Sequence, residues 1–287
     1  MKYSLLVVFV FGVMTGIAQN GNSAFAFTQI PISVVSAALG GSQVATWRGD
    51  VNQVSDNPAF IDSSLHQSVS LNYLNYLTTI NQASIAYSRM FDSIGFGSMY
   101  LRYFDYGTFQ GYDESGNVLG EFKVVDYEVG ISFGRKLNDH INYGATLKNV
   151  FSSMYQSFAY GAALDLGGYY QSTNGNFTAG LTIDNLGLEI IDYSGGERNF
   201  FPASINAAIS KKFDKAPIMF GLQYSNIQTW DLAGVDGDVL ANPTIDPLTG
   251  EESRPAVTLD NFARHLSASV ALIPSDNFQL MLGYNFR

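Results

Sequence analysis

The chain has 287 residues, of which 14% are charged and 14% aromatic, against about 25% charged in ordinary soluble proteins. A formal net charge of -10 argues against non-specific nucleic-acid binding, so no nucleic acid is expected as a partner. The absence of cysteine excludes disulfides, thiolate catalysis and Cys-ligated metal, and the apolar content excludes a disordered chain.

Residues 1–18 read as a secretory signal peptide. Lys2 supplies the positive start, Leu5 to Val13 the apolar stretch, and Gly16-Ile17-Ala18 the small residues before a cleavage point. The apolar run is shorter than the ~20 residues a spanning helix needs. Residues 19–65 show no alternation. Within them, Ser33 to Ala45 suits a short helix ending at Gly40-Gly41, where glycine permits a left-handed turn. Pro58 pushes Asn57 toward extended geometry. A small, Gly-containing segment of this size suits a plug, with Gly40, Gly41, Asn57 and Pro58 as its motif residues.

From residue 66 onward the informative signal is period two. Val125, Tyr127, Val129, Ile131 and Phe133 alternate with Asp126, Glu128, Gly130 and Ser132. The pattern recurs at Ile141–Lys148, at Phe158–Gly167, at Phe177–Asp184, at Ile218–Ser225 and at Phe278–Phe286. Such strands suit either a soluble sandwich with its apolar face inward or a membrane barrel with its apolar face on lipid. The polar faces carry Gly, Ser, Asn, Thr and Ala with few Lys or Glu. That favours an enclosed lumen over a water-facing surface. Tyr100, Tyr103 and Phe104 suit an interfacial aromatic girdle.

Eleven strands are expected, over 67–76, 81–90, 94–106, 123–135, 140–153, 157–170, 176–185, 203–213, 216–229, 262–273 and 277–287. Short turns alternate with longer connections, the long ones at 107–122, 185–202 and 230–261. In outer-membrane barrels the short turns are periplasmic and the long loops external. The expectation is therefore an all-β, transmembrane antiparallel β-barrel spanning 66–287, with a periplasmic N-terminus. An odd count conflicts with the even strand number of single-chain barrels. Either one strand is missed or the chain is C-terminally truncated before closure; the topology favours truncation, with Leu280–Phe286 as a terminal assembly signal the competing reading.

Little chemistry is visible. His66, His140 and His265 lie near strand starts without metal spacing and read as solvated residues. No nucleophile elbow, phosphate loop or cofactor-binding pattern is present, and Asp236-Gly237-Asp238 lacks a full calcium loop. Asp113–Asn117 reads as a hairpin tip. Asp126, Glu128, Asp165 and Asp184 could pair with Lys148 or Arg89 inside the lumen. No catalytic, cofactor or metal site is expected.

Taken in order, Ala37-Ala38-Leu39-Gly40-Gly41, Asn57-Pro58-Ala59 and Val69-Ser70-Leu71-Asn72-Tyr73 resemble the fatty-acid-transporter-like outer-membrane barrels. The PorV/PorQ family within that group is the closer likeness. It rests on Ser70–Tyr76, Phe104-Asp105-Tyr106-Gly107, Asp113–Asn117, Gly144-Ala145-Thr146-Leu147-Lys148 and Gln228-Thr229-Trp230-Asp231-Leu232. The resemblance implies a barrel of about fourteen strands with a small N-terminal plug. It implies a non-enzymatic role in type IX secretion, anchoring a PorZ-like surface protein beside PorU-like and PorV-like subunits. Tyr112, Phe200 and Trp230 are the candidate docking residues on the outer loops. The alternative implied function is transport of hydrophobic small molecules.

Overall fold

In the computed structural model the described residues are 25–60, 62–77, 79–91, 94–193, 200–229, 232, 244–245, 252–253, 257–275 and 278–286. The expected signal peptide and Trp230 lie outside them.

The protein is all-β. Its strands are β1 (Ser68–Leu77), β2 (Ile80–Phe91), β3 (Gly95–Tyr112), β4 (Val118–Lys136), β5 (Ile141–Met154), β6 (Ser157–Gln171), β7 (Phe177–Ile191), β8 (Ser204–Lys212), β9 (Ile218–Tyr224), β10 (Thr244–Ile245), β11 (Glu252–Ser253), β12 (Leu266–Ser275) and β13 (Phe278–Asn285). Among the described residues there are two α-helices, α1 (Val34–Ala38) and α2 (Val257–Arg264). Eleven strands form one antiparallel sheet in chain order, β1 to β9 followed by β12 and β13. The pair β10–β11 stands apart as a two-stranded ribbon. Among the described residues no pairing joins β1 to β13, so these are the two edges of the sheet. No described helix is long and apolar enough to cross a membrane, which leaves strands unaddressed.

All eleven expected strands are present in the sheet, but three, β3, β4 and β7, run well past the bounds that the alternation suggested. β3 and β4 continue as a ribbon through Thr108↔Lys123 to Tyr112↔Val118. The expected loop over 107–122 is thus mostly strand, and its tip is Asp113–Asn117, where Asp113 accepts from the backbone N–H groups of Ser115 and Asn117. The pairing shifts between Asp105 and Thr108, around Gly107 at φ 88°, which breaks the period-two pattern. β7 likewise runs on to Ile191 past a shift at Asp184-Asn185. There Asp184 and Asn185 together stand opposite Asp165, a bulge with Asn185 at φ 59°. Before it Thr178 and Thr182 are buried; after it the buried phase passes to Asn185 and Glu189. At the other end β9 stops at Tyr224.

Burial is inverted relative to a water-soluble fold. The buried face of the sheet carries Arg102, Asp126, Glu128, Lys148, Asp165 and Gln223, while Leu71, Ile131, Leu147, Leu181, Phe220 and Leu282 are exposed on the other. Residues 25–65 lie against the polar face. Asn52 donates to Ser70 of β1 at 2.7 Å, Arg102 of β3 donates to the Ile30 carbonyl at 2.7 Å, and Arg48 donates to Gln279 of β13 at 3.0 Å. One segment reaching both edges and the middle means the sheet curls around it.

Glycine permits that approach. A Cβ on Gly144, Gly167, Gly180 or Gly283 would overlap Pro58, Asn57, Val44 or Leu39 of the segment. The segment itself is irregular, so its backbone groups need side-chain partners. Thr178 donates to the Ala45 carbonyl at 2.8 Å, and Gln223 accepts from the Val44 N–H at 3.1 Å. Apolar anchors complete the seat: Phe25 stacks on Phe201 with centroids 4.8 Å apart, and Phe60 meets Tyr169 edge-on at 5.2 Å.

Candidate functional site

The enclosed space between residues 25–65 and the sheet holds three polar clusters. In the first, Arg102 forms an ion pair with Glu128, whose other oxygen accepts from the Tyr100 hydroxyl at 2.6 Å. The Arg102 guanidinium also lies 4.9 Å from the Phe27 ring centroid. Tyr100 and Phe104 are therefore interior residues, 2% and 1% exposed, which corrects their expected place in an outer girdle. The reason is register: Tyr100 stands opposite Gly130, which leaves room for its ring. Arg102 fills the role for which Arg89 was a candidate; Arg89 instead lies over the Phe91 ring, 5.5 Å from its centroid.

In the second cluster Asp126 accepts from the hydroxyls of Tyr106, at 2.7 Å, and Ser152. The third is built on the β7 bulge. Lys148 pairs with Asp165 at 2.6 Å and donates to Asn185 at 3.0 Å. Asp165 accepts from the Asn185 backbone N–H at 2.7 Å.

Lys148 and Asp184 also line a cavity of about 130 Å³ between the N-terminal segment and strands β5 to β13. Asp56, Asn206, Asn226 and His265 line it too. Asp56 accepts from the Ser36 hydroxyl and from the Gln43 N–H. Burial nevertheless pushes its carboxyl up to about 7, because desolvation outweighs those bonds. His265 is 2% exposed, so the expectation of a solvated histidine is corrected. Its ring stacks on Tyr224 at 4.8 Å, and its Nδ1 donates to the Ser225 carbonyl at 2.6 Å.

The predicted motif residues occupy separate stations along the segment. Gly40 and Gly41, at φ 91° and 134°, end α1 and border the cavity. Asn57 is fully buried and donates to the carbonyls of Val44 at 2.8 Å and Gly168 at 3.2 Å, while Pro58 covers Gly144. Tyr112 is 61% exposed at the end of β3, and Phe200 is half-exposed in a bridge to Leu188 of β7. Strands β4, β5 and β6 separate them, so they do not form one patch. Sequence reasoning missed Asn206, Asn226 and Asp56. The available signal was the small polar series Ser204, Asn206, Ser210 on the buried face of β8.

No group of three or more His, Asp or Glu residues able to hold a metal occurs among the described residues. No family model, curated protein or solved structure matches the chain.

Proposed function

We propose that this chain is an outer-membrane β-barrel protein and a non-enzymatic component of the type IX secretion system, anchoring a surface partner of the cargo attachment complex. The single observation that carries the membrane part is the inverted burial. Leu71 is 74% exposed and Leu282 69%, on a sheet whose opposite face buries the ion pairs Arg102–Glu128 and Lys148–Asp165. An apolar face spread over eleven strands exceeds the few hundred Å² that a soluble monomer usually exposes. In lipid that face is matched to acyl chains.

Hydrocarbon also imposes a condition on the edges. Unpaired N–H and C=O groups cost several kcal/mol each there, so the reading requires strand partners for the outer edges of β1 and β13. Residues 25–65 act as the plug, and their many bonds to the sheet favour a fixed anchor over an open channel. The secretion role rests on the resemblance of the sequence motifs to the PorV/PorQ family. The projecting β3–β4 ribbon, with Tyr112 near its tip, offers a docking element on the external side. Transport of hydrophobic molecules is the weaker reading, because the cavity of about 130 Å³ is bordered by Asp56, Lys148, Asp184 and Asn206 rather than by an apolar wall.

The test has two arms. Native membranes are extracted with and without detergent, and the protein is recovered with its partners for mass spectrometry. Detergent-dependent extraction together with a co-purifying surface protein that leaves the envelope on gene deletion supports the proposal. A monodisperse particle in plain buffer overturns the membrane assignment. A partner that stays on the surface of the deletion strain overturns the anchoring role.

A further inference from the structure

Two arginines stand on the apolar face of the sheet. On β2, Ile85, Tyr87 and Arg89 are exposed while Ala86 and Ser88 are buried. On β4, Ile131, Phe133 and Arg135 are exposed while Ser132 is buried. Period two therefore turns both arginines outward, in line with the apolar residues. The two ion pairs among the described residues, Arg102–Glu128 and Lys148–Asp165, lie on the other face. A cation on a face matched to acyl chains costs free energy unless its charge is met or reaches the polar margin.

Both arginines lie at the end of the sheet where the turns are short. Arg89 is two residues from the end of β2, and Arg135 one residue from the end of β4. The exposed aromatic residues Phe91, Tyr143 and Phe278 lie at the same end, and Tyr143 stands opposite Arg135. A belt of this kind marks the level of lipid headgroups.

Strand register brings the two arginines toward one spot. Arg89 pairs with Gly97 of β3, and Gly97 with Phe133 of β4. The arginines thus flank β3, offset by two residues along the strands. With strands ~4.8 Å apart and a rise of ~3.4 Å per residue, their Cα atoms are about 12 Å apart, a span that two arginine side chains can close. Arg89 leans that way already. Its guanidinium lies 5.5 Å from the Phe91 ring centroid, and Phe91 stands opposite Gly95, whose place on β3 falls level with Arg135. Between the arginines β3 presents glycine at both outward positions, Gly95 and Gly97, and the side chains nearest to them are the rings of Phe133 and Phe91. The result is a shallow notch with an aromatic floor and a guanidinium on each side.

We propose that Arg89 and Arg135 bind the phosphate of an anionic phospholipid of the surrounding leaflet, whose acyl chains lie along the apolar face. Guanidinium groups donate to phosphate oxygens in charge-assisted, bidentate bonds. Neither arginine is paired with a carboxylate among the described residues, so a headgroup of net negative charge is favoured over a zwitterionic one. The proposal rests on the membrane reading above and adds a lipid class to it. Lys211 is also exposed at this end, but it lies on β8, four strands from β4, and serves as the control.

The full-length protein is inserted into vesicles of phosphatidylcholine, alone or mixed with phosphatidylglycerol, and then lifted into detergent for native mass spectrometry of the retained lipid. Phosphatidylglycerol is expected to be retained over phosphatidylcholine. The double variant Arg89→Gln/Arg135→Gln should lower that preference about tenfold, while Lys211→Gln leaves it unchanged. Inorganic phosphate, added as a third arm, should not displace the lipid. If the double variant does not insert, the wild-type protein at low and high salt carries the test, because retention by charge weakens as salt rises. Insertion without a preference for phosphatidylglycerol overturns the proposal and leaves the membrane reading standing. The proposal also falls if the double variant keeps the preference, if Lys211→Gln loses it equally, if inorganic phosphate displaces the lipid, or if retention ignores salt. A protein that inserts into neither vesicle overturns the membrane reading, and this proposal with it.

Discussion

The carbonyl of Pro58 lies over Gly144 so closely that a Cβ at position 144 would overlap it. That contact couples an expected plug residue to the middle of the sheet. It also explains why the buried face of β5 carries glycine at a position where a larger residue would otherwise pack. Gly144→Ala should therefore destabilise by about 1–3 kcal/mol, the usual cost of overpacking. Gly168→Ala is the control, because its nearest neighbour to a new Cβ is 3.9 Å away. Thermal midpoints in detergent should separate the two; equal midpoints would show that Pro58 moves aside freely.

Asp56 makes stability pH-dependent in an unusual direction. Its folded value of about 7 lies above the ordinary 3.8. The folded state then binds the extra proton between these values, and stability falls as pH rises through that window. Asp56→Asn keeps an acceptor for Gln43 and abolishes the titration. Between pH about 4 and about 7, the wild-type midpoint should decline relative to the variant. Parallel curves would mean that Asp56 stays ionised in the folded protein.

The Arg102–Glu128 pair is the next target. Both side chains are 1% exposed, so removing one leaves the other charge buried. Glu128→Leu should cost about 3–5 kcal/mol, and Arg102→Met a similar amount. The double variant should be less destabilised than the sum, because no charge is left alone. Denaturant titration of all four proteins checks this; strict additivity would mean the two side chains do not interact.

Leu147 tests the environment of the outer face. It is 50% exposed and stands between Ile131 and Leu164 in neighbouring strands. In lipid, Leu147→Arg should weaken folding into liposomes by about 2–4 kcal/mol near the bilayer centre. In water the same change at an exposed site would be within about 0.5 kcal/mol. A neutral outcome in liposomes would remove lipid from that face.

Much of the sheet was legible in residue order, and the failures have physical causes. Asp126, Glu128 and Ser132 alternate with Tyr127, Ile131 and Phe133, and each lies on the face that the alternation assigned. The hairpin tip at Asp113–Asn117 was legible because Asp and Gly state their turn geometry locally. The continuations of β3 and β7 were not, because a bulge at Gly107 and another at Asp184-Asn185 shift the phase by one residue. A pattern reader sees the shift as a strand end. His265 was misplaced for a different reason: its burial depends on Tyr224 and Ser225, about 40 residues away in sequence.

By itself the sequence determined the local quantities: which side chains share a strand face, how many strands the sheet has, and where glycine is needed to end α1. Period two and backbone sterics act over a few residues, so neighbours suffice to specify them. Only the tertiary structure decided that Val44 meets Gln223, that Pro58 covers Gly144, and that Asp184 and Asn226 share one cavity through Asn206. Those meetings depend on strand register, on bulges, and on the path of an irregular segment whose backbone groups find partners across the whole curled sheet. No local pattern encodes such long-range pairing.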